Sequence, residues 1–368
     1  MRLAIVHPKV LASQNFTPSV ANEGIPGSEE TLINVSKEFV RQGVAVTVYT
    51  QTATTLNFGR GLSWRPIEQI SSREWYDCLC LWSDNPNNLL HFNDHLPGAA
   101  VSCVRLVNQS NEDVFRQILH GGQRVGLTQT DWFTSHSSCL GSFPLFRWNN
   151  GVHPHRYLHA SCDSKISGKI FWGSDYDRGL IHVLSNWPKI RARHPHVTLT
   201  VCYGWDVYDA KMASSPPHAQ AHLLSFRNHI NHLLQQEGIS HLGRISHSRV
   251  DEELLSSEFW FYPCTFPENC STLSLKAQAA KCVPVIIPTG GLSETVKYGL
   301  IASQSLWHGG RIDDQLVGHA VQEWLDLADQ ALKYGYASFD SIIDANLRRV
   351  KREYSYAGVV HQFIQRFF

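Results

Sequence analysis

The sequence predicts an α/β protein built from two doubly wound, Rossmann-like parallel-sheet domains that face a cleft. Two observations lead to this fold class. Short unbroken apolar runs, which are typical of strands buried on both faces of a parallel sheet, recur in both halves of the chain. Segments with an apolar stripe at helical spacing lie between these runs. The length of 368 residues suits two domains of ordinary size.

The first half opens with a strand–helix–strand unit. Leu3–Val6 is the first predicted strand, and Val44–Thr50 is the second. The helix between them carries Leu32, Val35 and Phe39 on one face. This order within about fifty residues indicates parallel pairing. The further strands predicted in this half are Cys78–Trp82, Ala100–Val107, Arg124–Thr128 and Leu145–Trp148.

The second half repeats the alternation. A polar segment without periodicity, residues 154–167, is predicted to link the halves, so we expect domains over residues 1–160 and 161–350. The chain ends in an aromatic-rich helix over residues 354–368. The strands predicted in this half are Lys169–Gly173, Val197–Tyr203, Phe259–Tyr262 and Val283–Ile287, together with a strand that ends at Leu242-Gly243. The helices predicted here are Arg178–Arg193, Gln220–Gln236, Asp251–Ser257 and Ser271–Ala280.

The composition narrows the functional classes. Lys and Arg number 32, as do Asp and Glu, so the net charge is zero and the electrostatic footprint of a nucleic-acid-binding protein is missing. The first apolar run stops at His7-Pro8, too early for a signal-peptide core, and no run reaches the ~18 apolar residues that span a bilayer. Nine irregularly spaced cysteines indicate reduced thiols. We therefore expect a cytoplasmic protein whose membrane contact is at most peripheral, at the inner membrane surface.

The 20 histidines raise the question of a metal site. His229 and His232 have helical i,i+3 spacing, at which two side chains can reach one ion. No carboxylate or cysteine with zinc-like spacing accompanies them. We therefore expect no metal site.

The most informative stretch is residues 261–271, which leaves a predicted buried strand, passes a proline turn and enters a helix. The backbone N–H groups of Asn269, Cys270 and Ser271 are expected at the positive end of that helix, where a phosphate or a sugar hydroxyl can bind. Glu268 beside them can accept hydrogen bonds from hydroxyl groups. The alternative is that Asn269 or Ser271 only caps the helix, and the spacing leaves both interpretations open.

Other strand-to-helix junctions also carry candidate ligand-binding residues. Arg178 is predicted in a first helical turn, where its planar fork suits a diphosphate, although a surface ion pair with Asp175 or Asp177 is equally compatible with the sequence. Arg244, at a strand end, is a second candidate phosphate cation. Gly27 lies between a strand and a helix, where a residue without a side chain lets the backbone approach a ligand, or simply forms a turn.

These stretches together resemble glycosyltransferase family 4, a group of retaining enzymes with the GT-B fold. The donor-site signature of that family is matched by Pro263, Glu268, Ala277-Gln278-Ala279-Ala280 and Pro284-Val285-Ile286. Four further stretches match in the right order, namely Gly27-Ser28-Glu29, Asn150-Gly151-Val152, Asp177-Arg178-Gly179-Leu180 and Leu242-Gly243-Arg244-Ile245. The resemblance covers nearly the whole chain.

The resemblance implies transfer of a sugar, with retention, from a UDP- or GDP-sugar to a glycan, lipid-linked or protein-linked acceptor. Glu268 would contact the donor sugar, and Arg178 and Arg244 would neutralise the diphosphate, so that neither a metal ion nor a cofactor is needed. Residues 351–368 would form a helix that packs back on the first domain. The implied donor-binding residues are Gly27, Arg178, Gly204, Arg244, Asn269, Cys270, Ser271, Thr272 and Lys276.

The sequence departs from the family pattern at three places. Lys276 stands where the family has a second glutamate that holds the ribose hydroxyls, and an ammonium cannot accept those hydrogen bonds. Lys281 stands where a small residue is expected, and Asn108 where many members have a histidine. Two alternatives stay open. One is a catalytically silent GT-B subunit; the other is a GT-A enzyme that uses Asp175-Tyr176-Asp177 as a metal motif.

Overall fold

The computed structural model describes residues 1–8, 16–19, 24–59, 61–83, 87–106, 118, 122–136, 143–158, 160, 164–308 and 310–368. The chain divides into two compact units. Unit 1 comprises Met1–Val20, Pro26–Gly151 and Tyr354–Phe368, and unit 2 comprises Ala21–Ile25 and Val152–Glu353. The change from unit 1 to unit 2 after Gly151 thus precedes the boundary at residue 160 that the sequence predicts.

Unit 1 is organised around an eight-stranded sheet. Its strands are β1 (Arg2–His7), β2 (Ala45–Thr50), β3 (Leu56–Asn57), β4 (Leu62–Pro66), β5 (Trp75–Ser83), β6 (Gly98–Leu106), β7 (Gln123–Thr128) and β8 (Leu145–Arg147). The strand order is β3-β4-β2-β1-β5-β6-β7-β8, and all pairs are parallel except β3 with β4. Its helices are α1 (Gly27–Arg41), α2 (Asn87–Leu90), α3 (Asp131–His136) and, from the end of the chain, α12 (Tyr356–Phe367).

The C-terminal helix α12 completes the core of unit 1. The ring of Phe363 meets that of Phe39 in α1 edge-on at 5.2 Å and that of Trp148 at 4.7 Å. At Gly151, a Cβ atom would lie 2.4 Å from the ring of Tyr356, so only a glycine leaves room for this helix. The Asn-Gly-Val stretch noted in the sequence therefore has a packing role in unit 1.

Unit 2 contains a six-stranded sheet that is parallel throughout. Its strands are β9 (Ile166–Trp172), β10 (Thr198–Cys202), β11 (Ile239–Gly243), β12 (Ser257–Pro263), β13 (Val283–Ile287) and β14 (Leu300–Ile301), and β15 (Trp307–His308) and β16 (Arg311–Ile312) form a separate antiparallel pair. The order is β11-β10-β9-β12-β13-β14. Its helices are α4 (Leu180–Arg193), α5 (Asp206–Ala213), α6 (Pro217–Leu233), α7 (His247–Ser256), α8 (Thr272–Ala279), α9 (Leu292–Thr295), α10 (Asp314–Tyr334) and α11 (Asp340–Glu353).

The predicted α/β architecture with two parallel sheets is confirmed, and the strands expected from apolar runs are present. The sequence predicts no strand at β3, β4 and β14–β16, most of which are two residues long and too short for periodicity to reveal. It also predicts no helix at α2, α3, α5, α9, α10 and α11, although α10 buries Ala320, Trp324 and Ala328 at helical spacing. In the described part of the chain, no helix is both long enough and apolar enough to cross a membrane.

Lys281, just after α8, has a left-handed backbone with φ of 65°. This conformation is unfavourable for residues with a Cβ atom, and it explains why a small residue would suit the position. We expect Lys281→Gly to raise the free energy of unfolding of unit 2 by about 0.5–1 kcal/mol, because strain relief exceeds the added backbone entropy cost. Urea denaturation followed by tryptophan fluorescence measures this change. An unchanged or lower midpoint would contradict the strain assignment.

Candidate functional site

Three adjacent strands of the unit 2 sheet, β10, β9 and β12, end at the same edge because they are parallel. The segments that follow them, residues 203–205, 173–179 and 264–271, hold most of the candidate residues from the sequence. The carboxyl edge of a doubly wound sheet is where such folds bind ligands. We therefore describe the site from this edge.

Arg178 and Glu268 form an ion pair that joins two of these segments. Arg178 Nη1 lies 2.7 Å from Glu268 Oε1, and the guanidinium lies 4.3 Å from the centre of the Phe266 ring. Glu268 is only 5% exposed, and the hydroxyl of Tyr262 donates a hydrogen bond to the same oxygen. The sequence left Asp175 and Asp177 as alternative partners for Arg178, but its ion pair is with Glu268.

The protonation states of this cluster follow from its burial and charges. Burial alone would lower the pKa of Arg178, but Glu268, Tyr262 and Tyr203 outweigh it and raise the pKa well above its ordinary value. Burial also raises the pKa of Tyr262, so its hydroxyl stays protonated and remains a donor. Ser174 Oγ lies 3.1 Å from the Tyr262 hydroxyl and extends the network to the segment after β9. Glu268 is thus the acceptor at the centre of a charge-assisted network.

Gly179 brings the Arg178 segment close to the end of β12. Its φ is 115°, and a Cβ atom here would lie 2.2 Å from the carbonyl oxygen of Pro263. The sequence placed Arg178 inside a helix, which is wrong because this backbone separates α4, which begins at Leu180, from the short 3₁₀ turn Tyr176–Arg178. Arg178 therefore reaches Glu268 from a loop that packs on the neighbouring strand.

Four of the predicted donor-binding residues follow Glu268, three in the segment before α8 and Thr272 as the first residue of α8. Cys270 is buried, whereas Asn269, Ser271 and Thr272 are half-buried. Ser271 Oγ accepts a hydrogen bond from the Ser274 backbone at 3.3 Å, so the Ser271 side chain caps α8 as the alternative interpretation held. Its cap does not occupy every N–H group of the first turn, since a helix start leaves four without intrahelical partners.

Arg244 lies beside Gly204 and Tyr203, after the edge strand β11. Its Nε is 3.0 Å from Asp206 Oδ2, and its guanidinium lies 4.7 Å from the centre of the Tyr203 ring. A Cβ atom on Gly204 would lie 3.0 Å from the Arg244 backbone nitrogen, so the glycine permits this approach. Arg244 Nη2 is buried and has no hydrogen-bond partner among the described residues. A buried donor of this kind suits an anionic ligand.

Lys276 is engaged in an ion pair within unit 2. Its side chain is buried, and Nζ lies 3.3 Å from Asp251 Oδ1 and 3.3 Å from His247 Nδ1, both on α7. The hydroxyl of Tyr157 donates to the same Asp251 oxygen at 2.5 Å, and Arg156 lies 3.5 Å from the other. The Lys276 ammonium is therefore neutralised by a carboxylate from the adjacent helix.

Asp175 has an elevated pKa of about 6, because of its burial and then of the charge of Asp177. Since this exceeds the unfolded value of about 4, the folded state binds the proton more tightly, and stability is lost as pH rises through about 4 to 6. We expect Asp175→Asn to raise the free energy of unfolding by about 1–2 kcal/mol at pH 7.5 and by much less at pH 4.5. Denaturant titrations of the wild-type protein and the variant at the two pH values measure the difference in unfolding free energy. An equal difference in unfolding free energy at both pH values would contradict the raised pKa of Asp175.

The remaining predicted residues lie elsewhere. Gly27 is the first residue of α1 in unit 1, where its carbonyl accepts a hydrogen bond from Thr31. Asn108 lies outside the described residues. His229 and His232 are exposed on α6, and no group of three or more His, Cys, Asp or Glu side chains within the described ranges is arranged to hold a metal ion.

Two residues of the site were missed by sequence reasoning. Tyr262 lies in an apolar strand and looks like an ordinary core aromatic, because nothing in a sequence shows that its hydroxyl faces Glu268. Tyr203 was assigned to the end of a strand, with no sign of its backbone conformation. The structure joins Arg178, Glu268 and Tyr262 directly, and it brings Gly204 and Arg244 together around Tyr203.

No family model and no curated protein matches the chain, but solved structures do match it over its full length. Sucrose-phosphate synthase from Thermosynechococcus elongatus is similar with a TM-score of 0.68 and 12% identity, over 100% of this chain and 98% of that chain. Anabaena HepE in complex with UDP and glucose matches with a TM-score of 0.60 and 11% identity, over 100% and 99%. The fold is GT-B. The predicted fold class is therefore confirmed, and the GT-A alternative is excluded.

The same fold also occurs in the N-terminal domain of the trehalose-6-phosphate phosphatase of Candida albicans, with a TM-score of 0.62 and 13% identity, over 100% of this chain and 96% of that chain. An enzyme named for phosphate hydrolysis therefore contains this fold as well. At such identities the likeness establishes the GT-B architecture, and the chemistry has to be argued from the site.

Proposed function

We propose that the chain is a retaining glycosyltransferase of the family 4 type, which moves a sugar from a UDP- or GDP-sugar to a hydroxyl group of a glycan, lipid-linked or protein-linked acceptor. The Arg178–Glu268 ion pair at the carboxyl edge of the unit 2 sheet carries this proposal. It places a cation suited to a diphosphate beside a carboxylate suited to sugar hydroxyls. Assembly of cell-surface polysaccharides or glycoconjugates on the cytoplasmic side is the proposed setting.

The proposed reaction exchanges one C–O bond for another at the anomeric carbon. The bond from this carbon to the donor phosphate breaks, and its electron pair leaves with the nucleoside diphosphate. The acceptor oxygen forms the new bond on the same face, and its proton passes to the departing phosphate. Glu268 would hold the sugar hydroxyls during this step, and the N–H groups of Asn269, Cys270 and Ser271 would support it.

The departing diphosphate would be stabilised without a metal ion or cofactor. Arg178 is charged, Arg244 has a buried donor without a hydrogen-bond partner among the described residues, and the start of α8 carries partial positive charge. Gly204 and Thr272 would line the donor site. We expect turnover to survive an excess of EDTA. Loss of turnover that is restored by a divalent cation would overturn this part of the proposal.

The deciding experiment is a calorimetric screen of the folded protein with UDP-glucose, GDP-mannose and other UDP- and GDP-sugars, together with an assay for their slow hydrolysis. We expect one nucleotide class to bind with a dissociation constant in the range of about 1 μM to 1 mM and to be hydrolysed. A folded protein that binds none of these nucleotide sugars would contradict the proposal.

A second candidate is a catalytically silent GT-B subunit that binds a partner or a glycan. The Lys276–Asp251 ion pair favours it, because a neutralised ammonium offers no acceptor to ribose hydroxyls. In that case nucleotide binding is weak or absent, and no sugar nucleotide is consumed with any acceptor. Measured consumption that depends on Glu268 would eliminate this candidate.

A further inference from the structure

Tyr203 holds a backbone conformation that is rare for a bulky residue. It follows β10 with φ of 140°, and Gly204 continues the turn with φ of 82°. Among the described residues, the non-glycine residues with positive φ are Tyr203 and Lys281. Positive φ in an aromatic residue is costly and persists only where the surrounding structure enforces it, often at functional sites.

Tyr203 follows β10, which lies between β11 and β9 in the sheet, and the segments after those two strands carry Arg244 and Arg178. The Arg244 guanidinium sits over the Tyr203 ring, 4.7 Å from the ring centre. The side chain is half-buried at the carboxyl edge of the sheet. The strained backbone thus presents an aromatic ring to Arg244 at the carboxyl edge of the sheet.

Arg244 is held in place from two sides. Asp206 accepts a hydrogen bond from Nε at 3.0 Å, and the Tyr203 ring supports the plane of the guanidinium. This leaves the buried Nη2 as a donor without a partner among the described residues. Without the ring, the guanidinium is free to rotate towards Asp206 and to satisfy Nη2 there, which removes a donor from the ligand.

We propose that Tyr203 is a positioning residue that fixes Arg244 beside Arg178, so that the two arginines together bind a diphosphate group. The ring stabilises the guanidinium through a cation–π contact, and the strained backbone is retained because only this conformation delivers the ring. The assignment of the diphosphate to a nucleotide sugar rests on the proposed function. The anion-binding role of the two arginines does not depend on that function.

The test compares Tyr203→Ala, Tyr203→Gly and Tyr203→Phe in the full-length protein, with inorganic pyrophosphate and UDP as calorimetric probes. We expect the Ala and Gly variants to lose at least tenfold in affinity for both probes, and the Phe variant, which keeps the ring, to recover most of it. We expect the Gly variant to have a higher unfolding midpoint than the Ala variant, because glycine relieves the strain. Lys281→Gly is the matched control, which relieves strain away from the arginines and is expected to leave both affinities at the wild-type value.

The outcomes separate this inference from the proposed function. Wild-type affinity in Tyr203→Gly would overturn it, since the strain would then serve no ligand. A wild-type protein that binds neither probe would overturn it as well. Pyrophosphate binding that depends on Tyr203, combined with failure to bind any UDP- or GDP-sugar, would support the anion site and refute the glycosyltransferase proposal. In an active enzyme, we expect Tyr203→Ala to raise the KM for the donor more than it lowers kcat.

Discussion

Replacing Glu268 by Gln is expected to reduce sugar transfer by a factor of at least ~10³ while leaving the protein folded. The amide keeps the size of the side chain and one oxygen that can accept from Tyr262 and Arg178. It removes the negative charge that strengthens hydrogen bonds from sugar hydroxyls and balances the developing positive charge on the sugar. Donor consumption at saturating acceptor measures the loss, and circular dichroism measures the fold.

The choice of Gln over Ala matters because Glu268 is buried. An alanine would remove the acceptor of the Arg178 guanidinium and the Tyr262 hydroxyl and lower the free energy of unfolding by about 3 kcal/mol. A loss of activity could then result from unfolding. Glu252→Gln is the matched control, since Glu252 pairs with Arg249 on the exposed face of α7 and is expected to leave turnover unchanged. Wild-type turnover in Glu268→Gln would remove Glu268 from its assigned role.

Replacing Arg178 by Met is expected to weaken both the fold of unit 2 and the binding of the donor. A buried Glu268 without its cation costs about 3 kcal/mol of unfolding free energy, even though Met fills much of the same space over Phe266. Loss of a charged fork on the diphosphate costs about 2–3 kcal/mol of binding, which corresponds to roughly a hundredfold in the dissociation constant for UDP. Calorimetry and urea denaturation measure the two effects separately.

A double-mutant cycle separates the stability contribution of the Arg178–Glu268 ion pair from non-specific destabilisation by each substitution. In the Arg178→Met/Glu268→Gln protein no buried charge is left without a partner, so the stability loss is expected to be smaller than the sum of the single losses. The loss of UDP affinity, in contrast, persists in the double variant because the cation is still missing. Arg249→Met serves as the surface control. Additive stability losses would show that the pair makes no net contribution.

The fold could be predicted from the sequence because each buried parallel strand leaves a local signal. Residues 3–6 and 283–287 are unbroken apolar runs, and burial on both faces requires exactly such runs wherever helices cover a sheet. Parallel strands also send their carboxyl ends to one edge, so a strand assignment already places the residues that follow it. For this reason Arg178 and Glu268, far apart in sequence, were both assigned to one site.

The contacts within the site could not be predicted, because they depend on side-chain directions and on partners distant in the chain. Arg178 had two aspartates within three residues, yet Gly179 turns its segment towards Glu268. Lys276 looked like a simple loss of a carboxylate, and only the packing of α8 against α7 places Asp251 next to it. These are tertiary outcomes, on which the local spacing of residues carries no information.

Unit 1 is built from segments that are far apart in the sequence, so its folding during synthesis depends on when its C-terminal segment is made. Synthesis proceeds from the N-terminus, so the sheet of unit 1 leaves the ribosome before residues 152–353 of unit 2, whereas Tyr354–Phe368 leaves after them. Until then Phe39 and Trp148 lack the aromatic partner that Phe363 provides. The Tyr356 ring, which packs beside Gly151, is also missing. Unit 1 can therefore complete its core only after all of unit 2 has been synthesised.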